Sequence, residues 1–184
     1  MVCFISTALA ETGGKIVEAA RKQVGVTTSY DPAYVALDYP GGDVPRESGV
    51  CTDVVIRALR DALSEDLQKL VHEDMKANFA KYPKIWGLKR PDKNIDHRRV
   101  PNLMRFFGRM HTEFPIPKAG DKPEYLPGDI VTCTVPPHLP HVMIVSDRKN
   151  ADGLPLVIHN IGGGAKEEDR LNDFPLTGHF RWKE

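Results

Sequence analysis

The sequence predicts an α+β fold, with helices in the N-terminal two-thirds and a compact antiparallel sheet after them. Two observations carry this. Apolar residues recur at helical spacing up to about residue 110, and beyond Phe114-Pro115-Ile116-Pro117 they give way to short β-branched runs bounded by Pro, Gly, Asp and Asn. The connections between those runs are too short for crossover helices, which makes antiparallel pairing the economical choice. At 184 residues with 41% hydrophobic side chains, residues 11–184 read as one domain able to bury a core, without repeats or low-complexity linkers.

The first helix is expected over residues 15–24, where Ile16, Val17, Ala20 and Val24 share a face and Gly25 follows as a stop. Residues 26–49 hold Pro32, Pro40, Gly41, Gly42 and Pro45 and must be largely irregular. With Tyr30, Asp31, Tyr34, Asp38, Tyr39 and Asp43 this segment suits an ordered loop, a tyrosine-bearing lid over a cleft. A second helix is expected over residues 51–63, with Val54, Val55, Ala58, Leu59 and Ala62 on one face and Arg57, Arg60 and Asp61 on the other. Ser64 is read as the N-cap of a third helix bearing Leu67, Leu70, Val71, Met75 and Phe79, and Pro83 ends it. Pro101 suits the first turn of a short fourth helix over residues 102–110. GDIVTCTV, HVMIVSD and LVIHN are expected as strands, with TGHFRW as a fourth.

Composition narrows the function classes. Lys+Arg and Asp+Glu balance at 25 each, so no whole-molecule field favours nucleic acid or an anionic membrane surface. Three cysteines at irregular spacing make neither a disulfide framework nor a zinc knuckle. No run approaches the roughly 20 apolar residues of a membrane helix. Residues 1–10, MVCFISTALA, end in a small-x-small pattern, which reads either as a signal-peptide remnant or as an ordinary frayed terminus, since the basic start and longer apolar centre of a full signal are missing.

Cys51 stands at the start of the second helix, where unpaired N–H groups and the positive dipole end favour thiolate. Gly49 before it would let a substrate approach the backbone. Taken alone, such a cysteine is more often a buried small hydrophobe, as Cys133 in mid-strand is expected to be. A nucleophile needs a base whose other nitrogen is held by a polar partner. Of seven histidines, His72, His97, His111 and His179 read as structural or exposed, whereas His141 opens the most apolar strand at the sheet rim. His159 and Asn160 lie in the neighbouring strand, where side chains alternate between faces, so one of the two can meet and orient His141. Cysteine, histidine and a polar residue in that order form a cysteine-hydrolase constellation.

Asn94 to Arg99 includes Asp96, His97 and Arg98, which suit either carboxylate or phosphate binding or a loop-tying salt-bridge network. His138, His141 and His159 with an acidic partner form an alternative zinc site, although the proline in HLPH prevents helical pairing of the first two. Gly162-Gly163-Gly164 lacks a phosphate-loop context and reads as a flexible turn.

The block YPGGDVPRESGVC resembles the tyrosine, paired glycines and catalytic cysteine before the active-site helix of NlpC-type cell-wall peptidases, and PGDIV, HVMIVSD and VIHNIG resemble the strands that follow it there. More closely, YDPAY, YPGGDVP, GVCTDVV, DLQKLVHEDM, NIDHRRVPNL, GDIV, HNIG and GHFRW resemble a bacterial family of unassigned function within that superfamily. The resemblance implies a papain-like fold and a cysteine peptidase or amidase acting on peptidoglycan peptides or another small peptide. It needs no cofactor or metal and works in the periplasm or after secretion. By the same resemblance Cys51 is the nucleophile, His141 the base, His159 the orienting residue, and Tyr39 stands near the substrate or oxyanion, with Asn160 a further candidate there. The aspartate that relatives carry before the cysteine, where it helps to hold the peptide's amino group, is replaced by Val50. A non-catalytic wall-binding module is the competing expectation.

Overall fold

The computed structural model describes residues 2–118, 121 and 123–183, and for residues 2–8 the backbone only. Cys3 and much of the N-terminal segment discussed above therefore lie outside the described side chains. The described residues fold into four α-helices against one six-stranded antiparallel sheet. The helices are α1 (Val2–Arg21), α2 (Cys51–Leu63), α3 (Leu67–Asn78) and α4 (Val100–Met110). A two-residue parallel pair, β1 (Ser29–Tyr30) and β2 (Ser48–Gly49), closes the long loop between α1 and α2. The sheet holds β3 (Thr112–Phe114), β4 (Ile130–Val135), β5 (Leu139–Lys149), β6 (Pro155–Asn160), β7 (Ala165–Glu168) and β8 (Leu176–Arg181) in the order β3-β8-β4-β5-β6-β7.

The central strands are covered on both faces, which is why they read as continuous apolar runs. Ile130, Val142, Ile144 and Ile158 meet α1 and α2 through Ile16, Val17, Ala20, Val54, Val55, Ala58 and Leu59. Val131, Cys133, Met143, Val145 and Val157 form a second cluster with Leu171 on the other face. Cys133 is sealed there, and burial pushes its thiol up to about 11. At the start of β4 the chain passes so close to α1 that a Cβ on Gly13 would fall 2.1 Å from the Pro127 carbonyl oxygen. Asp129, in the Pro-Gly-Asp turn, accepts hydrogen bonds from His179 Nε2 (2.7 Å) and Arg181 Nε (2.7 Å) and Nη2 (2.9 Å). Burial opposes its ionisation, but these donors and the Leu126 N–H outweigh that and hold its carboxyl below the usual range.

Several elements differ from expectation for identifiable reasons. Helix α1 ends at Arg21, and Val24 lies in the following turn with 41% of its surface exposed. Arg57, expected on the polar face of α2, is fully buried. Its guanidinium binds the Asp43 carboxylate (3.0–3.1 Å), Thr27 Oγ1 (3.1 Å), Val44 O (3.0 Å) and Ser48 O (3.1 Å), tying the long loop onto the helix. Ser64 ends α2 in the left-handed conformation, φ 60°, with its N–H on Arg60 O and Leu59 O. Asp66 takes the role expected of Ser64, its side chain accepting Gln68 N–H at 3.1 Å to cap α3. Strands β3 and β7 escaped prediction because TEF and AKEE are short and polar, as outer strands tolerate. His141 is the third residue of β5; Leu139 and Pro140 before it are exposed, and the buried run begins at the imidazole. Among the described residues no helix is long and apolar enough to cross a membrane.

Candidate active site

Cys51 is the first residue of α2, and the turn before it is clamped from several sides. Val50 donates its N–H to Asp53 Oδ2 (2.7 Å), half of a capping box, and Asp53 N–H returns to Val50 O (3.1 Å). Asp53 is in turn gripped by Arg98, with Nε on Oδ1 and Nη2 on Oδ2, both at 2.9 Å, and both side chains nearly sealed from solvent. Arg98 also donates to Ala33 O (3.2 Å) and Asp31 O (3.3 Å), and its carbonyl accepts Thr52 Oγ1–H (3.2 Å). The absent side chain of Gly49 makes room for this network: a Cβ there would meet Asp53 Oδ2 at 3.0 Å and Arg57 Nη1 at 3.3 Å. The glycine expected to admit substrate thus admits the protein's own ion pairs.

Strands β5 and β6 bring two of the expected histidines together, on the face of the sheet that carries Met143, Val145 and Val157. His141 Nε2 and His159 Nδ1 lie 2.8 Å apart, with both residues almost wholly buried. Asn160 points to the other face, where its Nδ2 donates to Gly49 O (3.0 Å) and Ser29 O (3.1 Å). Of the two residues expected to compete for His141, His159 meets it, and Asn160 braces the turn that carries Cys51. The N–H groups of Val142, next to His141, and of Thr52 face the Cys51 sulfur. Among the described residues no hydrogen bond joins that sulfur to His141, and neither His141 nor His159 lines the cavity that opens at Cys51.

The electrostatics favour a neutral pair. Burial pushes the Cys51 thiol up to about 12, against the expectation of a thiol made acidic by its helix terminus, because desolvation outweighs the Val142 and Thr52 N–H groups. Burial likewise takes His141 down to about 3, with His159 beside it adding to the effect, and takes His159 down to about 4. At neutral pH the site holds a thiol and two uncharged imidazoles. Burial thus disfavours a standing thiolate at Cys51.

A cavity of about 300 Å³ opens at Cys51, lined by Tyr30, Pro32, Val50, Ile85, Trp86, Ile95, Arg98, Arg99, Val100, Pro101 and Pro140. Tyr30 is the tyrosine at this cavity, and its hydroxyl is raised to about 12 by burial and by the neighbouring Cys51 and Asp53. Tyr39 lies elsewhere, its ring edge-on to His72 at 5.3 Å with Lys93 Nζ 5.6 Å from its centre. Tyr34 hydrogen-bonds Asp92 (3.1 Å) and Asn94 (2.8 Å). Only the first tyrosine of the expected lid thus reaches the cavity, at the point where β1 pairs with β2. Of the secondary candidates, Arg98 is spent on Asp53 as a loop tie. His97 is buried with Nδ1 unpaired and its imidazole lowered to about 4, chiefly by burial. Asp96 is raised by burial and binds Arg99 Nη1 at 3.2 Å. His138 is exposed, and no group of three or more His, Cys, Asp or Glu among the described residues is placed to hold a metal ion. Arg99 at the cavity closes the Asn94–Arg99 stretch that suits an anion, whereas Trp86 has no motif to mark it.

The molecule is thus a mixed α+β protein with a buried cysteine at a helix N-terminus and a buried histidine pair on its sheet, on a fold shared with an amidase. The solved structure of an N-acetylmuramoyl-L-alanine amidase from Bacteroides uniformis matches with a TM-score of 0.54 at 13% identity, over 94% of this chain and 99% of that one. The chain belongs to the family described as Domain of unknown function (DUF1287), whose model matches residues 17–182. It is 57% identical over 173 residues to the Uncharacterized protein YijF of Escherichia coli (strain K12), covering 94% of this chain and 83% of that protein.

Proposed function

We propose that the protein is a cysteine hydrolase of the papain-like, NlpC type that cuts an amide bond in peptidoglycan peptides. The observation that carries this is the 2.8 Å His141–His159 bond set against a cysteine at a helix N-terminus whose sulfur meets the N–H of the residue after His141. Cys51 Sγ attacks the carbonyl carbon as His141 Nδ1 takes the thiol proton, and His141 then returns that proton to the leaving amine. This requires His141 Nε2–H to donate to His159 Nδ1, which fixes the tautomer and stabilises the imidazolium. The Cys51 backbone N–H, unpaired in the first helical turn, faces the developing oxyanion, and Tyr30 is the side chain suited to join it. Water activated by His141 releases the acyl group from the sulfur.

The fold shared with an amidase supports the wall-peptide reading, and the periplasm or the cell exterior is the compartment proposed with it. The raised thiol pKa favours one competing reading, a binding module without turnover. Incubating wild type and Cys51→Ala with cell-wall sacculi, and reading released muropeptides by mass spectrometry, separates the two. Products from wild type alone support the hydrolase. Equal products from both, or none from wild type, overturn it.

A further inference from the structure

The cavity beside Cys51 is cationic on one side and apolar elsewhere. Its charged lining residues are Arg98 and Arg99, and no carboxylate lines it. Arg98 is neutralised by the bidentate Asp53 contact and saturated by the Asp31 and Ala33 carbonyls. Arg99 is differently placed. Its guanidinium carbon lies 4.2 Å from the centre of the Trp86 ring, and among the described residues only Nη1 has a hydrogen-bond partner, Asp96 Oδ1 at 3.2 Å. Stacking on indole and one tether hold the fork in place while its other N–H groups stay unspent. A planar guanidinium fixed in this way and flanked by Pro101 and Ile95 suits a carboxylate far better than an amine. Val50, which also lines the cavity, offers no charge to hold an amine.

We infer that this cavity selects peptides carrying a free carboxylate next to the scissile amide, with Arg99 as the specificity residue that receives it. This rests on the hydrolase reading and sharpens its substrate class to acidic peptides, and not to those presenting a free amine. A charge-assisted contact of this kind corresponds to about tenfold to a hundredfold in affinity.

The test uses matched muropeptides that differ only in carrying that carboxylate or its carboxamide. Wild type is expected to favour the carboxylate form by at least about tenfold in kcat/KM. Arg99→Gln removes the preference through a rise in KM for the carboxylate form, and Arg99→Lys restores part of it. The Cys51→Ala protein, titrated calorimetrically with both peptides, reads the same preference without turnover. Equal use and equal binding of the two forms by proteins with an intact Arg99, or an undiminished preference in Arg99→Gln, overturn the inference. Preferential binding without any cleavage by wild type would instead sustain the carboxylate site and overturn the hydrolase.

Discussion

Lowering the pH from 7.5 to 5.0 should cost this protein much of its stability through histidines that the fold keeps neutral. His97, His141 and His159 are each almost fully buried, and desolvation depresses them to about 4, about 3 and about 4 from 6.5. Above 6.5 neither the folded nor the unfolded chain protonates them, and their neutral burial costs nothing. Below 6.5 the unfolded chain binds protons that the folded chain refuses, so stability falls as pH falls, until the folded values are reached. The slope is about 1.4 kcal/mol per pH unit for each proton withheld. Between 6.5 and 5.0 that amounts to about 2 kcal/mol per histidine and about 6 kcal/mol for three, against roughly 5–15 kcal/mol for a whole domain. The total depends on all three staying below 5, not on their individual values. Carboxylates held low by ion pairs, such as Asp74 and Asp129, titrate further down and add little in this window. Urea unfolding followed by circular dichroism at the two pH values measures the difference. A loss under about 2 kcal/mol would show that the imidazoles are hydrated or charged in the folded protein, and would refute the neutral site.

Two further outcomes follow from the same geometry. Iodoacetamide should modify Cys51 slowly at pH 7 and faster as pH climbs through the alkaline range, because burial favours the protonated thiol; a half-maximal rate below about 8.5, read by peptide mass mapping, would contradict that burial. Asp53→Asn leaves the Arg98 guanidinium buried without its counter-charge and should cost about 3–5 kcal/mol in chemical denaturation; a cost near zero would show that the pair is hydrated.

The parts of this fold legible in the sequence are those where a local signal and the tertiary environment agree. Helix α2 was readable over its whole length because Gly49 precedes it and an apolar stripe runs through it to Leu63. The cap after it was misassigned because Ser64 and Asp66 are both good cap residues, and only the need to turn the chain sharply out of α2 assigns the first to an ending and the second to a beginning. Arg57 was unreadable as a buried group, since nothing local says that Asp43, Thr27 and three backbone carbonyls will converge on it from a distant loop. At the site, the chain order of Cys51, His141 and His159 was visible. The choice between His159 and Asn160 depended on which face of β6 each took, and alternation alone leaves that open. Tyr30 and Tyr39 show the limit of motif spacing: the tyrosine at the right distance before the paired glycines packs on His72, while the one pulled in by the β1–β2 pairing reaches the cavity. Arg99 falls in the stretch read as a candidate anion site, but its pairing with Trp86 carries no sequence signature, because that is a ring and a guanidinium brought face to face.

The side-by-side placement of His159 and Asn160 makes β6 a ruler for the whole site. One residue reaches the imidazole on one face of the sheet, and the next holds the loop that delivers the sulfur on the other. The histidine pair and the turn before Cys51 are therefore gauged against a single pleat. Loops at either end of the strand are free to lengthen without disturbing that gauge, whereas one inserted residue inside it would exchange the two faces and undo both the His141–His159 and the Asn160–Gly49 contacts at a stroke.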